Sequence, residues 1–215
     1  MDVIIDNLPR YLSGFGMTLQ LLIIAAIGAL IIGTFIAAMR ISPVASLRGF
    51  ATVYTELVRN TPLTLVLFFC AVVVPYLGVR TDFATLATIG LTVYTSPFIA
   101  EALRSGINGV PLGQAEAARS LGLGFGQTIG TVVLPQAFRM VIPPLINVII
   151  ALTKNTSVAG GFFVAELFTI GKELANANGD AVVAVLLGVA TFYLIITIPL
   201  GILAARLEKK WVVTR

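Results

Sequence analysis

Four stretches of this 215-residue chain, residues 11–39, 60–79, 83–100 and 181–205, run without a single charged side chain. A charge-free apolar run of about 18 residues or more is long enough, as a helix rising about 1.5 Å per residue, to cross a hydrocarbon core of roughly 30 Å. The chain therefore has to fold in lipid. Its composition agrees: 58% of residues are hydrophobic and 11% charged, against nearer half and a quarter in ordinary soluble domains. A shorter run, 140–153, lies between Arg139 and Lys154, whose long basic side chains can snorkel to either surface. The expectation is an all-α integral membrane protein, a single domain over 1–215, with five spans near 17–39, 60–79, 83–103, 138–154 and 181–205. Residues 120–138 also lack charge but carry four glycines, two glutamines and Pro135, which reads as a loop rather than a lipid-facing span.

Five spans put the termini on opposite sides, and the basic residues choose the sides. With the N-terminus outside, only Arg10, Arg80, Lys154 and Lys172 of the 14 basic residues lie externally, so the positive-inside rule gives N-out and C-in, with Met1 outside and Arg215 inside. Asp2 and Asp6 stand where a signal peptide would be basic, and no cleaved leader is expected. Ile4, Leu8, Tyr11, Leu12 and Phe15 recur at helical spacing ahead of the first span, which suits a short amphipathic segment in the outer interface, cut by Pro9. Gly28 and Gly33 among the alanines of the first span suit close helix packing. The outer loops should be short, and one long internal excursion, about 105–137, remains.

Several chemistries are excluded at once. The chain has no histidine, which removes a histidine base, a histidine-ligated metal and a serine–histidine intramembrane protease. Cys70 is the only cysteine, so neither an internal disulfide nor a multi-cysteine metal site exists. A phosphate-binding loop ending in lysine and serine or threonine is missing, and the basic residues follow the inner face rather than an aromatic-studded nucleic-acid surface. No catalytic residue and no metal ligand are assigned. A self-sufficient secondary carrier or channel is the alternative reading, but it calls for internal repeats and charged groups deep in the spans. Neither is found.

The internal excursion carries the informative pattern. Pro111 can open a helix that runs from Leu112 to Leu121, and Gly122 can stop it; after the glycine-rich turn, Ile129, Val132 and Val133 can face the bundle until Pro135 ends the second segment. Within it, Glu116, Ala117, Ala118, Gly122, Val132, Leu134 and Pro135 fit the EAA signature of importer-type ABC permeases, with Val132 in place of isoleucine. Arg59-Asn60-Thr61-Pro62-Leu63, then Glu101, Arg104, Gly106, Gly113 and Gln114, then Pro143-Pro144 and Lys154-Asn155-Thr156-Ser157, continue the match in order. The chain resembles, from about Leu8 to Lys210, the histidine/glutamine/glutamate-type permease family.

That resemblance implies the permease subunit of an ATP-driven polar amino-acid importer in the bacterial cytoplasmic (inner) membrane. It implies no cofactor on this chain, with ATP and magnesium held by a cytoplasmic ATPase dimer, and as partners a second permease copy or related permease and an extracytoplasmic solute-binding protein. Gln114, Glu116, Ala117, Ala118, Arg119 and Gly122 would then couple the loop to the ATPase, Glu116 through its carboxylate, Ala117 and Ala118 by keeping the docking face low. Polar groups within apolar spans are candidates for the substrate path: Thr92, Tyr94, Thr95 and Ser96 around the Pro97 break, Asn147 in the fourth span, and Lys154, Asn155 and Thr156 at its outer end. Glu101 and Arg104 form an expected ion pair or gate near the inner surface. Glutamate is the first expectation for the substrate, from Lys154 beside the neutral Asn155, with glutamine or aspartate next.

Overall fold

The computed structural model describes residues 2–211, all of whose regular elements are helical. In chain order these are α1 (Asp2–Asp6), α2 (Leu8–Ile41), α3 (Ala45–Asn60), α4 (Leu63–Tyr76), α5 (Phe83–Asn108), α6 (Leu112–Ser120), α7 (Phe125–Phe162), α8 (Leu167–Ala177) and α9 (Val182–Trp211). Among the described residues α2, α5, α7 and α9 are each long and apolar enough to cross a membrane, and α3 with α4 makes a fifth candidate only if that bent pair counts as one span. The expected positions of Met1 and Arg215 fall outside the described residues.

The core is the seam between α2 and α5. Ala25 and Ala29 are fully buried, and the two glycines of that face do what the sequence suggested. A Cβ on Gly28 would lie 2.8 Å from Thr92 Cγ2, and one on Gly33 would lie 2.7 Å from the Ser96 carbonyl oxygen. Without a hydrophobic drive between apolar surfaces in lipid, such close backbone approach supplies the van der Waals contact that holds helices together.

Four expectations about the elements are corrected. The first spanning helix, α2, starts at Leu8, with Pro9 in its first turn where a missing N–H costs nothing. The expected interfacial segment is therefore split, Ile4 lying in α1 and Leu8, Tyr11, Leu12 and Phe15 at the start of α2. Tyr11 is fully buried and its hydroxyl donates to the Val185 carbonyl at 3.0 Å, with its ring stacked 5.7 Å from Phe192.

The second expected span, 60–79, opens on a 98° bend between α3 and α4, and it is a crossing only if that bent pair counts as one span. Thr61, ahead of Pro62, is extended (φ −89°, ψ 131°), as steric conflict with the proline ring demands. α4 alone reaches about 21 Å at roughly 1.5 Å per residue, short of the hydrocarbon thickness. α3 escaped notice because Arg48, Glu56 and Arg59 interrupt its apolar pattern.

The stretch expected as a loop, 120–138, is helical from Phe125 onward, and Pro135 does not end it. A π-helical register over Thr128–Val133 precedes Pro135, widening the turn where a proline ring would otherwise strike the carbonyl four residues back. The expected excursion of 105–137 thus shrinks to the α6 hairpin and its turns, its flanks belonging to α5 and α7.

The connection after α7, expected to be short, holds α8, and Glu166, which precedes it, is fully buried. Its carboxylate caps α8 by accepting the backbone N–H groups of Phe168 and Thr169, both at 2.8 Å, and the Tyr193 hydroxyl at 2.9 Å. Burial pushes the Glu166 carboxyl above the ordinary glutamate range.

Gly33→Val should lower the thermal unfolding midpoint of the detergent-solubilised chain, by about 1–3 kcal/mol of stability, because a backbone oxygen cannot yield to the new side chain. Gly16→Val, at a position with open space around it, should leave the midpoint within about 0.5 kcal/mol.

Candidate functional site

The elements converge on a cleft between α5 and α7. These helices run antiparallel: Gly106 packs on Val141 and Ala137, while the next turns of both helices line a cavity of about 430 Å³, within the size range of small-molecule sites. Tyr94, Thr95 and Phe98 face it from α5, and Asn147, Val148, Ala151, Leu152 and Asn155 from α7. An apolar wall with a few polar groups suits a small polar molecule that must be held without being trapped.

Of the eight residues anticipated for a polar path, the cavity brings together Tyr94, Thr95, Asn147 and Asn155. The other four lie elsewhere. The Thr92 hydroxyl donates to the Thr88 carbonyl at 2.7 Å beside Gly28. Thr156 is buried, its hydroxyl donating to the Thr153 carbonyl at 2.7 Å. Lys154 is exposed and outside the lining, so the feature that first suggested glutamate is not in the cavity.

Ser96 has a structural task. Pro97 lacks an N–H, which leaves the Val93 carbonyl without its helical donor, yet α5 continues through the proline without a break. The Ser96 hydroxyl donates to that carbonyl at 3.0 Å, and the Tyr54 hydroxyl lies 3.3 Å from it and 2.7 Å from Ser96 Oγ. The freed carbonyl is thus satisfied from within α5 and from α3. Thr95 is the opposite case. It is 2% exposed and its hydroxyl has no hydrogen-bond partner among the described residues, an uncommon state that a buried polar atom sustains at a cost. It is a buried group at the cavity edge with unspent hydrogen-bonding capacity.

One turn beyond Phe98, Glu101 collects three arginines. Arg40 from α2 forms the tightest pair, Arg104 lies 3.1 Å away, and Arg59 from the end of α3 lies 3.9 Å away. The sequence pointed to the Arg104 pair, whose i,i+3 spacing is visible in one dimension. Arg40 and Arg59 sit 61 and 42 positions away from Glu101, and no local signal joins them. Arg59 also places its guanidinium carbon 5.6 Å from the centroid of the Phe98 ring, a cation–π arrangement that ties the charge cluster to the cavity wall.

The α6 hairpin is a second, separate surface. Gln114, Glu116, Ala117 and Arg119 are exposed, whereas Ala118 is 5% exposed and packs inward, so only Ala117 of the alanine pair can keep an outer face low. The helix closes with a Schellman arrangement: Leu123 N–H donates to the Ala118 carbonyl, Gly122 N–H to the Arg119 carbonyl, and Gly122 adopts φ +85°. Leu112, Leu121 and Phe125 are 81%, 83% and 75% exposed around it, an apolar rim about a charged centre.

Removing Glu101 should cost more than removing any single partner. Glu101→Ala leaves Arg40, only 13% exposed, without its carboxylate and should destabilise the chain by about 2 kcal/mol. Arg104→Ala should cost under about 1 kcal/mol, both read as thermal unfolding in detergent.

Comparisons with known proteins give concordant matches. Residues 29–213 match the family described as binding-protein-dependent transport system inner membrane component. The chain is 43% identical, over 96% of each sequence, to the glutamate transport system permease protein of Corynebacterium efficiens. It is 40% identical, over 98% of this chain and 97% of the other, to a probable glutamine ABC transporter permease protein of Bacillus subtilis. Among solved structures, an amino acid ABC transporter determined with histidines superimposes with a TM-score of 0.88 at 28% identity, covering 96% of both chains. A methionine ABC transporter in an inward-facing conformation shares the fold alone, at TM-score 0.74 and 19% identity.

Proposed function

The chain belongs to the binding-protein-dependent transport system inner membrane component family, and we propose that it is the permease subunit of an ATP-driven importer that carries a polar amino acid, glutamate first, across the cytoplasmic membrane. The full-length identity to a glutamate permease carries this reading. It is a multi-pass inner-membrane protein with the N-terminus outside and the C-terminus inside, so that the α6 hairpin faces the cytoplasm and Asn155 the exterior.

In this reading the α5–α7 cavity receives the amino acid at mid-depth. Thr95, Asn147 and Asn155 offer a hydroxyl and two amides to its polar groups, and Tyr94 and Phe98 exclude water. Glu101 and its arginines stand between the cavity and the cytoplasm as the inner gate. The α6 hairpin couples gate to fuel: Glu116 meets basic groups of a separate ATPase, and Leu112, Leu121 and Phe125 bury their exposed surface against it. The Schellman closure supports this role, since a lever must not unravel under load. A second permease copy or a related chain completes the path, and an external binding protein delivers the substrate.

Reconstituted alone, the chain should neither hydrolyse ATP nor concentrate glutamate under a proton or sodium gradient, whereas adding the ATPase and the binding protein should give ATP-dependent uptake. Uphill uptake by the chain alone would overturn the subunit reading. Glu116→Ala, at an exposed position, should change stability by less than about 0.5 kcal/mol while weakening ATPase retention and uptake several-fold. Gly122→Val should act in the same direction, because a β-branched residue resists φ +85°. Full ATPase association and uptake by Glu116→Ala would remove the coupling role from this hairpin.

A further inference from the structure

Glu166 is outside the cavity lining and fully buried, and among the described residues no ion pair includes it. A buried carboxylate without a cation is costly unless its lone pairs are filled. Oε1 accepts the Thr169 N–H at 2.8 Å and the Thr169 hydroxyl at 3.1 Å, and Oε2 accepts the Phe168 N–H at 2.8 Å and the Tyr193 hydroxyl at 2.9 Å. Four donors on two oxygens use the full acceptor capacity of a carboxylate. Capping α8 needs only the two backbone donors, so the remaining contacts fasten something else.

The neighbour they reach is the end of α7. That helix is α-helical to Asn155, the last of its residues in the cavity wall, and winds as a 3-10 helix over Thr156–Phe162. Seven residues is long for this tighter winding, whose hydrogen bonds are poorer. Phe163 then adopts φ +64°, a left-handed conformation that a bulky side chain keeps only when its surroundings impose it. A Cβ on Gly160 would lie 2.5 Å from Glu166 Oε1, so the backbone of the 3-10 segment runs directly against the carboxylate. The Tyr193 phenol that donates to Oε2 also lies beside the hydroxyls of Thr18 and Thr156, and Thr18 Oγ1 accepts the Leu167 N–H at 3.2 Å. α2, the end of α7, α8 and α9 thus meet around one carboxylate, and α7 joins them at the residue that follows Asn155.

We infer that Glu166 is a positioning residue for the amino-acid cavity: it clamps the 3-10 end of α7 and so holds Asn155 in the cavity wall. This rests on the reading of that cavity as the amino-acid site. The clamp acts on geometry and not on charge, so it serves an acidic ligand and its amide alike. Loosening it lets the 3-10 turns relax toward α-helical winding, which turns each residue by about 100° instead of about 120°. The junction at Asn155 moves first, while Val148, about two turns earlier in the α-helical part of α7, keeps its place in the wall.

The test uses reporter thiols in the permease–ATPase complex in liposomes. Cys70 is the only cysteine of this chain, so a Cys70→Ala background carries either Asn155→Cys, at the clamped end, or Val148→Cys, in the helix before it, and the rate of maleimide labelling of the permease is read. Glu166→Gln sets an amide N–H2 among four donors and should raise labelling at 155 about fivefold, the scale of one lost hydrogen bond, with the rate at 148 unchanged. Gly160→Ala should act in the same direction, because it drives a methyl group onto Oε1 without altering the charge. Tyr193→Phe removes one donor, keeps the ring and should give a smaller rise; it carries the test if Glu166→Gln does not accumulate. Equilibrium binding of L-glutamate and L-glutamine to the detergent-purified complex without binding protein should weaken several-fold, and equally for both, in Glu166→Gln with Asn155 and Val148 intact. Labelling at 155 that is unmoved in these variants, or that rises as much at 148, overturns the inference and leaves the cavity reading standing. A selective rise at 155 with binding of both amino acids unchanged overturns the positioning role. A wild-type complex that binds neither amino acid overturns the cavity reading and this inference with it.

Discussion

In hydrocarbon no water stands ready to satisfy a backbone carbonyl or amide, and each one left open costs several kcal/mol. That constraint makes the chain helical and also dictates how its irregular places are built. Pro97 opens the Val93 carbonyl, and Ser96 and Tyr54 close it. Pro135 is admitted behind a π-helical stretch. The first turn of α8 is met by the Glu166 carboxylate, itself held by Tyr193. The repairs at Val93 and at α8 each bring a side chain from another element, Tyr54 and Tyr193, and so also fasten two elements together.

Against that rule, the unpartnered Thr95 hydroxyl is informative. A threonine in a helix commonly donates to the carbonyl four residues back, as Thr88 and Thr92 do on the same helix. Thr95 does not, and it borders the cavity. The same helix thus carries, within two turns, a closed backbone repair, an open hydroxyl, an aromatic wall and the carboxylate that gathers three arginines. α5 is the element on which the cavity, the charge cluster at Glu101 and the connection to the α6 hairpin all depend, and its seam with α2 fixes its position.

Much of the candidate site was visible as residue types in the wrong setting for lipid. Tyr94, Thr95, Asn147 and Asn155 stood out because polar groups in an apolar run need a reason, and they share one cavity. Thr92, Ser96 and Thr156 carried the same signal and are used by their own helices, because a hydroxyl pointing at a neighbouring carbonyl and one pointing at a cleft look alike in sequence. Lys154 misled for a related reason: its position on α7 was right, but a helix residue next to a cavity residue points about 100° away from it. Phe98 went unremarked because it looks like any apolar core residue, and Arg59 was noted only as part of the Arg59–Leu63 element, since nothing local joins it to Glu101 or Phe98.

The sequence alone determined that this chain lives in a membrane, that it is helical, that histidine, disulfide and nucleotide chemistry are closed to it, and that the segment around Glu116 and Gly122 forms a short helix with a glycine stop. These follow from local properties: hydropathy over about 20 residues, residue types that are absent, and backbone preferences read over one turn. Tertiary structure decided where Pro62 bends the chain, that Pro97 and Pro135 do not break it, that Glu166 is a buried cap, and that Arg40, Arg59 and Arg104 meet at one carboxylate beside Phe98. Those outcomes rest on which distant donor reaches an open acceptor and on which face of a helix meets its neighbour, and no local pattern encodes either.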